Sequence, residues 1–275
     1  MKASDSAPVV LITGCSTGIG RALAKRFQQA GCTTWATARR PDAIDDLPAS
    51  GIHTTALDVT DSVSISSAVR TVESTHGRID ILINNAGIPV MGPVAEVPLD
   101  DLRQLWETNL TGPVAMAQAV IPGMVERRSG HIVNVGSVSG ILTTPFAGPY
   151  CASKGALHHL NDAMRMELKA FGIFVQLVQP GGIASNFGAS AKSQTAREWK
   201  LFAAYKEGIE RRAGASQERA TPTDAFAQSL VAAVLASKPK PIVRIGAGSD
   251  LLPRLAKLPV RVKDRLLSRR FGLAD

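Results

Sequence analysis

A chain of 275 residues has room for a sizeable buried core, in one open α/β sheet or two smaller domains. With 45% hydrophobic and 20% charged residues it has the composition of an ordinary globular protein, which excludes disorder, collagen and coiled coil. The net charge of +8 sits almost entirely beyond residue 237, where ten basic residues face Asp250, Asp264 and Asp275, so the body is near neutral and no nucleic acid is expected as a partner.

Cys15, Cys32 and Cys151 are too few and too scattered for a disulfide framework and read as packing thiols in a reducing compartment. The five histidines lack ligand spacing with acids or cysteines, so no metal is expected. Residues 1–7 are polar, and the apolar run after them is far shorter than a signal peptide or a membrane span of roughly 20 residues. A cytoplasmic location is expected.

Residues 9–13 form an apolar, β-branched run that ends in Thr13-Gly14-Cys15-Ser16-Thr17-Gly18-Ile19-Gly20. Ile19, Leu23 and Phe27 follow at helical spacing and Gly31 caps them, giving strand, loop and helix. In that setting small residues let the backbone approach a pyrophosphate at the positive helix end, with Gly14 making the turn and Gly20 allowing close packing. The spacing is TGxxxGxG rather than GxGxxG.

The next strand, 33–37, leads to Ala38-Arg39-Arg40. A site for NAD would be expected to carry an acid there for the ribose 2′-hydroxyl, and a carboxylate would repel a 2′-phosphate. Guanidinium groups bind one instead, so NADP(H) is the expected cofactor, with Arg39 as main contact and Arg40 as support.

Further strands are predicted at 53–58, 79–84, 131–136, 173–179 and 242–245, most of them separated by helix-length segments. The alternation implies parallel strands with crossover helices, and near-continuous apolar runs such as ILIN and IFVQLV imply helices on both faces. A single doubly wound α/β domain is expected across residues 1–275, without repeats or linkers. Residues 185–215 read as an irregular insertion, a lid, whose Phe187, Trp199, Phe202 and Tyr205 either surround a substrate or pack against the body.

Tyr150 and Lys154 share one face of a helical stretch at i and i+4. Acid-base work near neutrality needs the phenol lowered by roughly 3 to 4 kcal/mol. An ammonium about 4 Å away, in an effective dielectric of about 20, supplies that much. Ser137 stands just past the strand at 131–136, at a carboxyl edge where open parallel sheets bind ligands. Asn109, in WETNL, and Asn84-Asn85-Ala86-Gly87, closing another strand, complete the constellation.

TGCSTGIG, LDVT, NNAG, Asn109, Ser137, YCASK and Pro180-Gly181, in this order and over about residues 8–245, resemble the short-chain dehydrogenase/reductase family in its single-domain form. The resemblance implies a Rossmann sheet of about seven strands, a nicotinamide cofactor and interconversion of carbonyl and alcohol. On it, Tyr150 exchanges the proton of the reacting oxygen, and Lys154 lowers the phenol's pKa and holds the nicotinamide ribose. Ser137 hydrogen-bonds the reacting oxygen, and Asn109 positions a water that feeds protons past Lys154. Asp58 and Val59 fall to the adenine, Asn85, Ala86 and Gly87 to the adenosine ribose region, and Pro180, Gly181 and Ile183 to the nicotinamide. Ser185 stands where the family usually has threonine and keeps the hydroxyl for the carboxamide, while the Gly181-Gly182 pair is expected to loosen its loop.

The surround predicted for the substrate is largely apolar, and the TGCSTGIG and ATARR segments are similar to the branch of hydroxysteroid, retinol and aldehyde reductases. The expected substrate is therefore a hydrophobic aldehyde, ketone, steroid-like or retinoid-like compound. The alternative is a catalytically silent NADP(H)-binding regulator or membrane-surface scaffold. The resemblance also implies a homodimer or homotetramer. Within the basic C-terminal extension, 246–275, the segment PVRVKDRLLSRRF is an amphipathic helix that lies either on an anionic membrane surface or on the body or a subunit interface.

Overall fold

The computed structural model describes residues 7–273; the polar residues 1–6 and the last two residues of the basic extension lie outside them. Each apolar run of the sequence forms a strand: β1 (Val9–Ile12), β2 (Thr33–Ala38), β3 (His53–Ala56), β4 (Ile81–Asn84), β5 (Gly130–Val135), β6 (Ile173–Pro180) and β7 (Ile242–Ile245). They pair in the order β3-β2-β1-β4-β5-β6-β7, every pairing parallel. After running outward through β2 to β3 the chain returns to β4 beside β1. This reversal opens a crevice at the carboxyl edge between the phosphate-type loop and the loop after β4.

The crossovers are α1 (Gly18–Gln29), α2 (Ser62–His76), α3 (Leu99–Trp106), α4 (Gly112–Arg127), α5 (Gly148–Leu168), α6 (Asn186–Ser193), α7 (Lys206–Gly214) and α8 (Thr223–Val234). Strand alternation sorts β1 between two cores. Val10 and Ile12 pack with Leu23 and Phe27 of α1 and Phe226 and Leu230 of α8. Val9 and Leu11 pack with Val69 and Val72 of α2 and Met116 and Val120 of α4. Both faces of the sheet are thus covered, as the unbroken apolar strands require.

A third apolar cluster lies off the sheet and joins Met91, Leu105, Phe146, Tyr150, Trp199, Ile209 and Phe271. It ties in the insertion, which is not irregular: α6 and α7 occupy most of residues 185–215 and bury Ala191, Ile209 and Ala213. Glu96 accepts the backbone N–H groups of Lys200, Leu201 and Phe202 at 2.6, 2.8 and 3.0 Å. Gln194 donates to the Pro89 carbonyl at 2.8 Å and accepts from the Met91 N–H at 2.9 Å.

Beyond β7, α9 (Leu251–Leu255) and α10 (Val260–Arg270) form from the basic extension. The helix α10 meets the body through Leu267 and Phe271, the latter only 2% exposed, while Val260, Val262 and Leu266 face outward. Part of its apolar face thus covers the body. No helix among the described residues is long and apolar enough to cross a membrane.

Candidate active site

The glycine loop after β1 is held by side chains of the loop after β4. Thr13 Oγ1 accepts the N–H groups of Asn85 and Ala86, each at 3.0 Å, and Asn85 Nδ2 donates to the carbonyls of Thr13 and Gly14 at 2.9 and 3.1 Å. A Cβ on Gly20 would stand 2.2 Å from the Gly14 carbonyl oxygen, and Gly14 itself has φ of +73°. Side chains are thus excluded at Gly14 and Gly20, and the backbone cradle at the start of α1 fits a pyrophosphate.

That cradle opens into a cavity of about 1190 Å³ along the carboxyl edge of the sheet. Gly14, Ser16, Thr17, Gly18, Ile19 and Gly20 line it, together with Arg39, Asp58 and Val59 on the β2 and β3 side. Asn85, Ala86 and Gly87 follow from β4, Ser137 from β5, Tyr150 and Lys154 from α5, and Pro180, Gly181, Ile183 and Ser185 from β6. Two predicted residues do not line it. Arg40 is exposed at the start of a short turn, Pro41–Ile44, because β2 carries Arg39 to the rim and the chain then bends away.

Asn109 is fully buried in a π-helical turn, Glu107–Thr111. Its amide clamps Ile88, accepting that residue's N–H at 2.9 Å and donating to its carbonyl at 3.0 Å. A Cβ on Gly87 would stand 3.3 Å from Asn109 Oδ1 and 3.6 Å from Lys154 Nζ, so both groups border the space that glycine leaves.

Three buried asparagines set α5 against the strands: Asn84 donates to Asn134 at 2.9 Å, and Asn134 to Asn161 at 3.0 Å. Helix α5 thereby brings Tyr150 and Lys154 to the end of β5, beside Ser137. Ser137 Oγ accepts the Ser139 N–H at 3.0 Å, and the Ser137 N–H donates to His158 Nε2 at 3.4 Å. Burial, with a smaller contribution from the nearby Lys154 charge, pushes His158 down to about 4, so the ring is a neutral acceptor at pH 7. His158 belongs to the inner face of α5, while His159 is exposed.

Lys154 does not lower the phenol's pKa in this arrangement. Its ammonium donates to the Val135 carbonyl at 2.8 Å, and burial pushes it down to about 8. Tyr150 is raised to about 12, chiefly by burial; a hydrogen bond with Ser137 and the charge of Arg212 pull the other way, and Cys151 adds to the rise. Desolvation outweighs the attraction the i, i+4 spacing promised.

The loop after β6 is not loosened by its glycines either. Gly181 and Gly182 donate to the carbonyls of Ile245 and Ala247 at 2.9 and 2.8 Å, and a Cβ on Gly181 would stand 2.1 Å from the Ala247 oxygen. Glycine here permits close approach to the segment after β7.

Of the four insertion aromatics only Phe187 lines the cavity, its ring 5.1 Å from that of Tyr150. Trp199 covers Gly92, and Phe202 packs between Phe146 and Tyr205. The sequence reading missed two further contributions to the wall. Leu252, Leu255, Leu267 and Phe271 come from the C-terminal extension, and Arg212 comes from α7. An amphipathic pattern announces the former without saying what it faces, and nothing in IERRAGA marks one arginine as buried.

Residues 8–196 match the family of short chain dehydrogenases. A dehydrogenase/reductase SDR family member 7B from Bos taurus is 34% identical over 203 residues, 70% of this chain, which spans 62% of that relative's length. The 17-beta-hydroxysteroid dehydrogenase type 1 of Mus musculus is 32% identical over 265 residues, 89% of this chain and 75% of that one. Among solved structures, a variant of actinorhodin polyketide ketoreductase with NADPH has a TM-score of 0.75 at 29% identity, covering 90% of this chain and 99% of its own. With its seven-stranded parallel sheet and glycine cradle, the chain belongs to the short-chain dehydrogenase/reductase family, whose members are nicotinamide-dependent oxidoreductases of the carbonyl and alcohol pair.

Proposed function

We propose that the protein is an NADP(H)-dependent oxidoreductase that reduces a hydrophobic carbonyl compound, acting in the direction of the alcohol. The observation that carries this reading is the convergence of Ser137, Tyr150 and Lys154 on the cavity that the glycine cradle and Arg39 also line. When bound, the cofactor supplies the hydride; the protein contributes placement and electrostatics.

Tyr150 donates the proton to the carbonyl oxygen. With its pKa near 12 the phenol stays protonated through the physiological range, the form a donor to a carbonyl needs. Ser137 Oγ accepts from Ser139 N–H and is hydrogen-bonded with Tyr150, so its hydroxyl stands beside the phenol where the reacting oxygen would sit. Lys154 and Asn109 border the space beside Gly87, where a water would pass protons onward. Lys154 would also hold the nicotinamide ribose, and Pro180 to Ile183 with Ser185 the nicotinamide end. Asp58 and Val59 would contact the adenine and Asn85 to Gly87 the adenosine ribose. Arg39, at the rim, would meet the 2′-phosphate.

A hydrophobic substrate is supported by Leu142, Phe187, Leu252 and Leu267 in the wall, and the mouse relative is named for a hydroxysteroid. Assembly as a homo-oligomer and a cytoplasmic location complete the reading. Peripheral contact with anionic membrane is supported by the outward Val260, Val262 and Leu266, set among five basic residues of α10. The test is oxidation of NADPH, followed at 340 nm, with a panel of lipophilic aldehydes and ketones. Turnover of at least one is expected; tight NADPH binding with silence across the panel would favour a regulator instead.

A further inference from the structure

The cavity contains a cation that the proposed chemistry does not use. Arg212, on α7, is only 6% exposed. Its Nε donates to Thr144 Oγ1, and its guanidinium carbon lies 6.0 Å from the centre of the Phe271 ring. Among the described residues no carboxylate comes within ion-pair distance of it. Glu218, at the same end of the cavity, is bonded to Arg270 at 2.9 Å.

Besides Thr144, the polar partner of Arg212 is the Cys151 thiol, with which it shares a hydrogen bond. Arg212 lines the cavity, and the positive charge it brings there is balanced by no carboxylate among the described residues. A buried guanidinium without a counter-ion is costly, and its planar fork of N–H donors matches a carboxylate in geometry as well as charge. Burial does lower the pKa of Arg212, but a guanidinium starts so high that it remains charged.

We propose that Arg212 recognises an anionic group, a carboxylate, on the substrate whose carbonyl Tyr150 protonates. The inference rests on the oxidoreductase reading above and narrows it from a hydrophobic carbonyl compound to a hydrophobic oxo acid. Arg212 and Tyr150 line the same cavity, so one molecule can present its acid to the former and its carbonyl to the latter. The hydrocarbon remainder lies along Leu142, Leu252 and Leu267, which share the cavity wall with Arg212.

The experiment compares a matched pair, 4-oxodecanoate and its methyl ester, with the full chain and NADPH. The wild type is expected to favour the acid by about tenfold or more in kcat/KM, and Arg212→Met to lose that ratio through KM. Arg212→Lys, which keeps the charge without the fork, should retain part of it. A wild type indifferent to the ester block would overturn the inference, as would a ratio unchanged in Arg212→Met. Thermal shift with decanoate in the presence of NADPH reads binding without turnover. If neither ketone is reduced, stabilisation by decanoate in the wild type and not in Arg212→Met sustains recognition while the oxidoreductase reading fails. Absence of any shift then overturns recognition as well.

Discussion

Lys154 gives its ammonium to the Val135 carbonyl, 2.8 Å away at the end of β5, and so anchors α5 to the strand that leads to Ser137. Because burial brings this amine down to about 8, the unfolded chain holds a proton between about pH 8 and 10.5 that the folded chain lacks. Stability contributed by this group therefore rises with pH across that window. Tyr150, raised to about 12, acts oppositely above about pH 10, where the unfolded chain has lost a proton the folded one keeps. Urea unfolding between pH 7.5 and 9.5 should show the rise in the wild type and a flatter profile in Lys154→Met; equal profiles would remove the assignment.

On the acid side, His131 and His158 are both held near 4, mainly by burial. Their depressed values mean that stability present above about pH 6.5 is lost as pH falls towards 4, by roughly 3 kcal/mol for one such histidine. His158→Gln should shrink the fall in Tm between pH 7 and 4.5. It should also reduce turnover of any active substrate, because His158 holds the backbone N–H of Ser137. A variant with the acid sensitivity of the wild type would contradict the neutral assignment.

Cofactor choice is tested at the rim. Arg39→Asp should weaken NADPH binding by about tenfold or more while NADH binding stays the same or improves. Arg40→Ala should have a much smaller effect, since Arg40 does not line the cavity. Fluorescence titration of both cofactors against the three proteins measures this, and equal losses for the two cofactors in Arg39→Asp would argue against a 2′-phosphate contact.

The C-terminal extension is part of the body. Phe271 is buried against Gly208 and lies beneath the guanidiniums of Arg212 and Arg270. Phe271→Ala should cost about 3–5 kcal/mol in chemical denaturation, as large-to-small changes at well-packed sites do. Leu266→Ser, on the exposed face, should cost little and instead reduce flotation with anionic vesicles.

Most of the architecture was legible because parallel strands buried on both faces write themselves as unbroken apolar runs. VVLI, ILIN and IFVQLV each became a strand within two residues of the predicted ends. The glycine cradle was legible for a similar reason, since backbone approach leaves no residue choice at Gly14 and Gly20. The insertion was not, because α6 and α7 are short and built from small and polar residues whose burial depends on partners distant in sequence. The same distance hid Arg212, whose neighbours Thr144, Cys151 and Phe271 come from three other parts of the chain. The phenol's pKa was misjudged because spacing reports which groups share a helix face, while burial and the competing Val135 carbonyl decide where a charge points.

The central claim is that the buried phenol of Tyr150 delivers the proton, and Tyr150→Phe removes that one group. With NADPH and the best carbonyl from the panel, kcat should fall by about 10²–10⁴, while NADPH affinity and Tm stay near the wild-type values. A Tyr150→Phe protein that turns over at close to the wild-type rate would contradict it.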